Sequence, residues 1–466
     1  MRDIIPGIAA QTDAAPRICL DFGTSFSKAS VFLGGAAQAQ RAPVIPLRLG
    51  AVSGAEQPYL TPSIVFFDQE RAYCGPNAQL RAETSVRSKR DPILSFKMLL
   101  SAQDIEGTLA LKLGPSVDPT RSFTHRQALI LYLAHLDQLI RAAILSDPAI
   151  PNDLAHAPLR LTSPLWRAEA HSQQSLGRLF DEAEHVSAQL GDALNAQAGV
   201  SLDDLRWALH AAAQAPARGR FAGVLQELES AAAAYASFSK SKSDYVLVMD
   251  VGAGTTDIAG YRVERHEGKI TLHRVRKTRQ CCDLAGDQID TILIHQMLRR
   301  SRAGAAEEKA AVWRALRLAA RGLKADLLAT SKCTLRIGKR AIVMRKEALL
   351  SDSAFRHFVR SLSKTLAQSL EAVALDAIKN GGSISICLAG GGANMSFLDA
   401  LAEEAAKKWR SRVKLAIERF DYHGLLHDDA WLQEKAFAAA FPQLVISMGG
   451  AAAPFETPDA NAWAAA

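Results

Sequence analysis

Asp250-Val251-Gly252-Ala253-Gly254-Thr255-Thr256-Asp257 is the stretch of sequence that decides the fold of this chain. An apolar run at 245–249 leads into it, and such a run predicts a buried strand that ends at Asp250. Glycine and alanine let backbone N–H groups approach a phosphate closely, and aspartates suit a hydrated Mg²⁺. A glycine-rich turn after a strand is most often only a tight turn, so this stretch alone does not establish a nucleotide site.

The same layout occurs near the N-terminus of the chain. Residues 18–28 read Ile-Cys-Leu-Asp-Phe-Gly-Thr-Ser-Phe-Ser-Lys, and residues 29–33 form a second apolar run. Two copies of strand, aspartate, glycine turn and strand suggest two similar lobes that face one nucleotide. A third apolar run ends in Gly390-Gly391-Gly392-Ala393-Asn394, whose glycines would let the backbone lie flat against a ligand.

These three segments, in this order, resemble the actin-like ATPase superfamily, and most closely the nucleotide-binding domain of the DnaK-type heat-shock protein 70 chaperones. The first two segments look like that family's phosphate loops, and the third looks like its adenosine loop. Further matches follow the correct order, at Thr61-Pro62-Ser63, Ser95-Phe96-Lys97-Met98, Pro164, Glu227-Leu228-Glu229-Ser230-Ala231 and Leu284-Ala285-Gly286-Asp287. The resemblance runs from about residue 17 to about residue 453.

The resemblance implies an α/β fold of the two-lobed actin-like ATPase (ribonuclease H-like) type. Each lobe would be a mixed β-sheet flanked by helices, with a nucleotide cleft between the lobes. We expect an N-terminal tail at 1–16, lobe I at 17–243, lobe II at 244–437, and at 438–466 a C-terminal helix that returns to lobe I, with a short tail. Lobe I would carry a sub-domain insert at about 59–141, and lobe II one at about 286–361.

One segment departs from the family in length. The spacing from Pro164 to Glu227 is about twice what the resemblance leads us to expect, which predicts an extra helical insert at about 182–222. We interpret it as a helical hairpin that turns at 198–201, with Ser201 capping the second helix, within a segment that is alanine-rich and helical from 168 to 238. It is either a surface decoration or a docking element.

Periodicity and capping residues predict the remaining elements. A helix begins after Thr124, and a basic β-hairpin lies near 333–345. Other helices are expected at 287–300, 305–329, 352–380, 396–409 and 431–453. Thirteen residues follow the last helix, so we expect this chain to lack the peptide-binding domain of full-length chaperones of this family.

The same resemblance implies the residues that carry phosphate chemistry. Asp21 and Asp250 would reach Mg²⁺ through its water shell from opposite sides. Lys97 would contact the γ-phosphate; it lies in an apolar segment, where a lysine is costly unless it is directed to an anion, although a surface lysine whose stem packs on apolar neighbours is the alternative. The attacking water would be oriented by Glu227, and the network around it would be completed by Thr255 and Asp257.

The nucleotide itself would be held by backbone and side chains of both lobes. The phosphates would lie against Gly23, Thr24, Ser25, Phe26, Gly252, Ala253 and Gly254, and the adenosine side would involve Gly286, Asp287, Arg321, Lys324, Gly390, Gly391, Gly392 and Asn394. The adenosine side departs from the family pattern: Arg321 replaces an acid, Ala325 an adenine-stacking arginine, and Asn394 another arginine. We therefore expect altered base recognition, in which Arg321 could itself stack on the base.

The composition excludes several other classes of protein. The 466 residues are 48% hydrophobic and 22% charged, as in a globular protein. A Walker A motif is absent, because Gly338-Lys339 lacks the upstream glycine and the following hydroxyl. The scattered cysteines indicate a reducing cytoplasm. The N-terminus lacks the apolar core of a signal peptide, and no apolar run approaches the ~18 residues of a membrane span.

We expect a DnaK-like protein that binds and slowly hydrolyses Mg-ATP, with ATP and ADP as bound nucleotides, so that its lobes open and close. A non-hydrolysing nucleotide switch or scaffold, an actin-like filament protein, and a sugar or acid kinase remain alternatives. The net charge is +7, and residues 261–347 contain 21 Lys and Arg against 9 Asp and Glu. A protein partner is expected at this basic region or at the insert; no membrane is expected, and nucleic acid is disfavoured because no aromatic residues lie between the basic ones.

Overall fold

The first half of the chain builds a large sheet, a smaller sheet and seven α-helices in the computed structural model, which describes residues 15–34, 44–85, 89–102, 104–163, 170–266, 269–420 and 430–452. The strands are β1 (Arg17–Asp21), β2 (Phe26–Phe32), β3 (Val44–Pro46), β4 (Thr61–Pro62), β5 (Ile64–Phe67), β6 (Arg71–Cys74), β7 (Ile93–Leu94), β8 (Leu159–Ser163), β9 (Val200–Ser201) and β10 (Phe221–Gln226). The helices are α1 (Leu49–Ser53), α2 (Gly75–Thr84), α3 (Ile105–Ala110), α4 (His125–Ser146), α5 (Ala170–Leu190), α6 (Leu202–Gln214) and α7 (Glu227–Phe238), with 3₁₀ turns at Phe96–Ser101, Asn152–His156 and Gly191–Leu194.

The second half repeats this plan and ends in a long helix. Its strands are β11 (Tyr245–Val251), β12 (Thr256–His266), β13 (Lys269–Arg274), β14 (Gln280–Cys282), β15 (Lys332–Ile337), β16 (Arg340–Arg345), β17 (Ile384–Ala389) and β18 (Leu415–Arg419). Its helices are α8 (Gly286–Ser301), α9 (Ala306–Thr330), α10 (Lys346–Leu350), α11 (Ser353–Asn380), α12 (Ser396–Lys407) and α13 (Lys435–Ala452), with 3₁₀ turns at Gly391–Asn394 and Ala430–Gln433.

The two large sheets have the same topology. In the first, β2 runs antiparallel and β8 parallel to β1, β3 lies outside β2, and β10 lies outside β8. In the second, β12, β17, β13 and β18 take the corresponding places around β11. The fold is therefore the two-lobed α/β fold of actin-like ATPases, as the two copies of the turn predicted. The exact boundaries of the lobes and sub-domains stay a prediction.

Several of the predicted helices begin or end at local capping residues. Thr124 and Gln127 make a reciprocal capping box at the start of α4, and α11 begins after a capping Asp352 and ends at Gly381 in the left-handed conformation. The predicted helices at 287–300, 305–329, 352–380 and 396–409, and the basic hairpin, are confirmed to within a few residues.

The prediction of helix from 168 to 238, interrupted by a turn at 198–201, is wrong at β10, and the predicted turn contains the short strand β9. β10 pairs in parallel with β8, and β9 pairs with β6, where Ala72 lies opposite Val200. Alanine-rich sequence favours helix, but here the pairing partners are supplied by distant strands, which sequence propensity does not describe. Ser201 does cap α6 as expected, accepting a hydrogen bond from the N–H of Asp204 at 3.3 Å.

The insert is built into lobe I through β9. This strand forms one edge of a four-stranded sheet of order β7-β5-β6-β9. Side chains of the sheet and of α2 bind the segment of chain that leads into β9. Arg71 of β6 donates to the carbonyl of Gly199 at 3.0 Å, and Asn77 of α2 donates to the carbonyl of Asn195 at 3.1 Å. The insert thus extends a sheet of lobe I.

Helix α4 is long and apolar enough, by length and composition, to cross a membrane, with a mean hydropathy of 1.5 over an 18-residue window. The expectation that no apolar run approaches the length of a membrane span is therefore wrong for α4. Of that window, 72% is buried inside the protein, so the apolar side chains of α4 form part of the core of lobe I.

Helices α7 and α13 pack against each other in a core that also takes residues from both large sheets, among them Cys19 and Val248. Arg17 holds the end of α13 against β1, donating to the carbonyl of Ala451 at 2.7 Å. The two helices approach so closely that a Cβ added at Gly449 would lie 1.8 Å from the carbonyl oxygen of Ser230. A glycine is therefore required at this crossing.

We expect Gly449→Ala to destabilise the protein by about 1–3 kcal/mol, because overpacking forces the α7–α13 pair apart. The matched control is Gly322→Ala on α9, where an added Cβ meets nothing within 4 Å and better helix propensity should stabilise by up to ~1 kcal/mol. Urea unfolding followed by circular dichroism measures both variants, and a Gly449→Ala protein as stable as wild type would contradict the packing argument.

Candidate functional site

Six charged side chains form a buried cluster where the turn between β1 and β2 faces the turn between β11 and β12. The two turns are close enough for Asp21 and Lys28 to affect the pKa of Asp250. None of the six residues is more than 8% exposed. The acids are Asp21, Glu227, Asp250 and Asp257, and the bases are Lys28 and Lys97.

Lys97 reaches this cluster from the 3₁₀ turn that follows β7. Phe96 anchors the turn to α4 by stacking on Tyr132, with ring centroids 5.4 Å apart. The Nζ of Lys97 donates to Oε1 of Glu227, the first residue of α7, and lies 4.0 Å from Oδ1 of Asp21. The structure therefore brings together three predicted site residues that are far apart in sequence, and Lys97 is buried rather than at the surface.

Lys28 belongs to the cluster and was given no role by the sequence analysis. Its Nζ lies 2.6 Å from Oδ2 of Asp21, the residue directly across the β1–β2 ladder. The corresponding cross-strand pair in the second sheet is Asp250 and Asp257. The sequence could have revealed this difference. When the two turns are aligned on Asp21 and Asp250, Lys28 and Asp257 occupy equivalent positions.

The charges of the cluster do not balance, since four carboxylates face two lysines. Burial raises the pKa of Asp250 well above its ordinary value, and Glu227, Asp257 and Asp21 add to this effect. Burial likewise raises the pKa of Glu227 to about 7, although Lys97 acts in the opposite direction. For Lys97, burial alone would lower the pKa, but Glu227 and Asp21 outweigh it and keep the pKa raised. These directions indicate a site that lacks positive charge.

A hydrated divalent cation fits this site. Oδ1 of Asp250 and Oδ1 of Asp257 are buried without a hydrogen-bond partner, while Oδ2 of Asp257 accepts from the hydroxyl of Thr255 at 2.8 Å. In the described part of the chain, no group of three or more His, Cys, Asp or Glu side chains is arranged to bind a metal directly. Mg²⁺ keeps several of its waters and takes few protein ligands, so the orphaned oxygens suit contact through water.

The first glycine turn has the close backbone packing that a phosphate cradle needs. A Cβ added at Gly23 would lie 2.2 Å from the carbonyl oxygen of Phe26. Ser63 makes two hydrogen bonds to this turn. Its hydroxyl donates to the carbonyl of Gly23 at 2.7 Å, and its backbone N–H donates to the carbonyl of Ser25 at 2.9 Å. The Thr-Pro-Ser segment therefore fixes the conformation of the turn formed by Gly23, Thr24, Ser25 and Phe26.

The second glycine turn rests against the start of α8. Within the turn, the N–H of Gly252 donates to the carbonyl of Thr255 at 3.0 Å. The N–H groups of Gly286 and Asp287 donate to the carbonyls of Gly252 and Ala253 at 3.0 and 2.8 Å. The start of α8 is therefore fixed to the turn that also carries Gly254, and both predicted residues on α8 lie beside it.

On the predicted adenosine side, Lys324 is engaged by protein groups. Its Nζ donates to the carbonyl of Gly286 at 3.0 Å and pairs with Asp290 at 2.9 Å, so its predicted contact with a ribose requires that pair to rearrange. Arg321 instead reaches across to lobe I, where its NH1 lies 3.5 Å from the carbonyl of Ser25. Its stacking on a base stays a prediction.

The third glycine segment closes over the second turn. Gly390 has a φ of +81°, and a Cβ there would lie 2.1 Å from Oδ1 of Asp250, so only glycine fits. A Cβ at Gly392 would lie 2.4 Å from Val251, and one at Gly391 would lie 3.5 Å from Gln443. Asn394 is exposed at the end of this segment. Pro164, expected as a switch residue, lies outside the described residues.

The raised pKa of Glu227 predicts how its contribution to stability depends on pH. The folded protein holds this proton at pH values where the unfolded chain, with an ordinary pKa of 4.5, has lost it. The free energy of unfolding of the wild type relative to Glu227→Gln should therefore fall as pH rises from 4.5 to about 7, by on the order of 1–3 kcal/mol.

Urea unfolding of both proteins from pH 4.5 to pH 8 without divalent cations measures this difference, in which titrating groups outside the cluster largely cancel. Glu70→Gln on the exposed surface is the control and should show no such trend. A difference that stays constant with pH would mean that folding does not shift the pKa of Glu227, and would contradict this prediction.

Comparison with known families agrees with the geometry of the site. Residues 203–413, a little under half of the chain, match the family model described as Hsp70 protein. No curated protein matches the chain. The matched segment includes Glu227, the second glycine turn, the start of α8 and the third glycine segment. Together with the two-lobed fold and the buried cluster between its turns, the match supports an Hsp70-like nucleotide-binding domain in this chain.

Proposed function

We propose that this chain binds Mg-ATP between its two lobes and hydrolyses it slowly, and that the change of nucleotide opens and closes the lobes. One observation carries the proposal: a buried cluster with two more carboxylates than lysines lies against two glycine turns from opposite lobes. A triphosphate is itself strongly negative. It can therefore enter this cluster only together with a cation, which explains why the cluster and the turns occur in one place.

The protein residues would share the work of hydrolysis. Mg²⁺, when bound, neutralises phosphate charge, and Asp21, Asp250 and Asp257 would hold it through its waters. Lys97 supplies a buried positive charge for the γ-phosphate. Glu227, with a pKa raised to about 7, is suited to orient a water and to accept its proton near neutral pH. Its contact with Lys97 places both groups on the same side of the cluster.

One face of α9 makes the contacts that opening of the lobes would break. Arg314 donates to Asp91 of lobe I at 3.3 Å, Leu318 packs beside the lobe I cluster that contains Phe66, and Arg321 reaches Ser25. Residues spaced by four and three positions lie on one face of a helix. An ion pair, an apolar contact and a weak hydrogen bond therefore close the cleft along a single stripe of α9.

A non-hydrolysing nucleotide switch is the second candidate, and the adenosine side favours it. Lys324 is already paired with Asp290, and Ala325, where the family has an adenine-stacking arginine, offers no polar side-chain atom to a base. Such a protein would open and close on binding alone. Phosphate release from ATP separates the two candidates directly.

We expect Lys97→Ala and Glu227→Gln each to lower the rate of phosphate release by about 10²-fold or more, because each removes a preorganised charge or a water-orienting group. Lys112→Ala, at an exposed lysine of the same lobe, should leave the rate unchanged. Single-turnover phosphate release and calorimetric titration with Mg-ADP measure catalysis and binding separately. Binding of Mg-ATP without release by the wild type would instead establish the switch.

Removing a contact between the stripe on α9 and lobe I should speed nucleotide release without changing the charged residues of the buried cluster. Arg314→Ala removes a partly exposed ion pair that is worth ~0.5–1 kcal/mol, so we expect ADP to dissociate about two- to fivefold faster. Arg317→Ala is the matched control, because Arg317 stacks on Trp313 of its own helix. Stopped-flow release of a fluorescent ADP analogue measures the rate, and equal effects of the two variants would contradict the role of the stripe.

A further inference from the structure

The hairpin of β15 and β16 presents one flat face to solvent. Its register places Lys332 opposite Arg345, Thr334 opposite Val343 and Arg336 opposite Ala341, and all six residues are exposed. The alternate side chains face inward, where Cys333, Ile342 and Met344 are buried in the core of lobe II. We call the outward side of these two strands the ribbon face.

The ribbon face carries positive charge that the protein does not neutralise. Residues 332–346 include six Lys and Arg and no Asp or Glu. Within the described ranges, Arg340 pairs with Glu308 at 2.7 Å, whereas Lys332, Arg336 and Arg345 form no ion pair. Like charges directly opposite each other on neighbouring strands are destabilising, so the pair of Lys332 and Arg345 opposes formation of the hairpin. When an acidic partner is bound, the same pair of cations would stabilise the hairpin instead of destabilising it.

The arrangement of the charges limits the shape of the partner. Lys332 and Arg336 lie four residues apart on one strand, a distance of about 13 Å at the rise of an extended chain. Between them lies an uncharged row, Thr334 and Val343, and Val343 is 39% exposed. The ribbon face therefore has cations at both ends and an apolar site in the middle.

We infer that the ribbon face docks an extended acidic segment of a partner protein, in which two acidic residues four positions apart flank an apolar residue. In an extended chain, residues at alternate positions share one side, so all three side chains of such a segment would face the ribbon together. The acids meet Lys332 with Arg345 at one end and Arg336 at the other, and the apolar side chain covers Val343.

An acidic peptide fits better than the other polyanions. A nucleic acid backbone carries phosphates but offers no apolar group for Val343, and the ribbon face has no aromatic side chain on which a base could stack. An anionic membrane would favour several apolar residues inserted beside the cations, whereas Val343 is alone. The inference rests on the proposed function in that it names the partner class of the proposed ATP-binding protein, but peptide binding can be tested without nucleotide, so either proposal can fail alone.

The test uses the full chain without nucleotide and a fluorescein-labelled peptide, Glu-Glu-Thr-Val-Thr-Glu-Glu, in fluorescence anisotropy at low salt. We expect saturable binding that weakens at least tenfold in the variant Lys332→Gln/Arg336→Gln/Arg345→Gln, and that also weakens as salt rises. The isomeric peptide Glu-Thr-Glu-Val-Glu-Thr-Glu has the same charge but places its central acids on the side opposite to valine. It should bind at least several-fold more weakly.

The matched control, Lys364→Gln/Lys379→Gln/Lys414→Gln, changes the net charge equally at exposed lysines of lobe II outside the hairpin, and should bind like wild type. Circular dichroism checks that the variants fold. Equal binding of the two peptides, or equal loss in both triple variants, would reduce the effect to net charge and overturn the inference. So would absence of peptide binding together with ribbon-dependent binding of duplex DNA or of phosphatidylserine vesicles.

Discussion

The burial of four carboxylates beside only two lysines is the constraint on which the rest of this structure depends. Charge removed from water is costly unless it is paired, and here burial raises the pKa of Asp250 and of Glu227. Each carboxylate is held in place by regular structure, at the end of a strand or at the first turn of a helix, so none can turn away to solvent. The cluster therefore requires protons or a cation, and this requirement is the physical basis of the proposed binding of a nucleotide together with a metal ion.

The cluster acquires its charge from a difference between two otherwise matching halves. Both large sheets share strand order and direction, and both place an aspartate at the end of the central strand. Across the ladder, the first sheet carries Lys28 and the second carries Asp257. If a lysine also stood in place of Asp257, the cluster would contain three carboxylates and three lysines, and its excess negative charge would disappear. One difference of residue at equivalent positions thus gives a duplicated fold an excess of buried negative charge.

The sub-domain around α9 contacts lobe I on one side and presents a charged surface to solvent on the other. One face of α9 contacts lobe I through Arg314 and Leu318, where opening of the cleft would separate them. The hairpin of β15 and β16 packs its inner side on the same helical layer and turns its charged side to solvent. A partner seated on the ribbon face would therefore contact the part of lobe II that also touches lobe I, and under both proposals this would give a physical route from partner binding to nucleotide release.

The sequence alone determined the elements whose signals are local. Strands that end at Asp21 and Asp250, the glycine turns after them, the capped helix after Thr124 and the basic hairpin follow from periodicity and turn residues, which depend on neighbours along the chain. Only the tertiary structure decided which distant groups meet. Lys97 contacts Glu227 across 130 positions of sequence, β10 forms in an alanine-rich segment because β8 lies beside it, and Lys324 is held by Asp290. Contacts of this kind depend on how the elements pack, and local sequence carries no record of the packing.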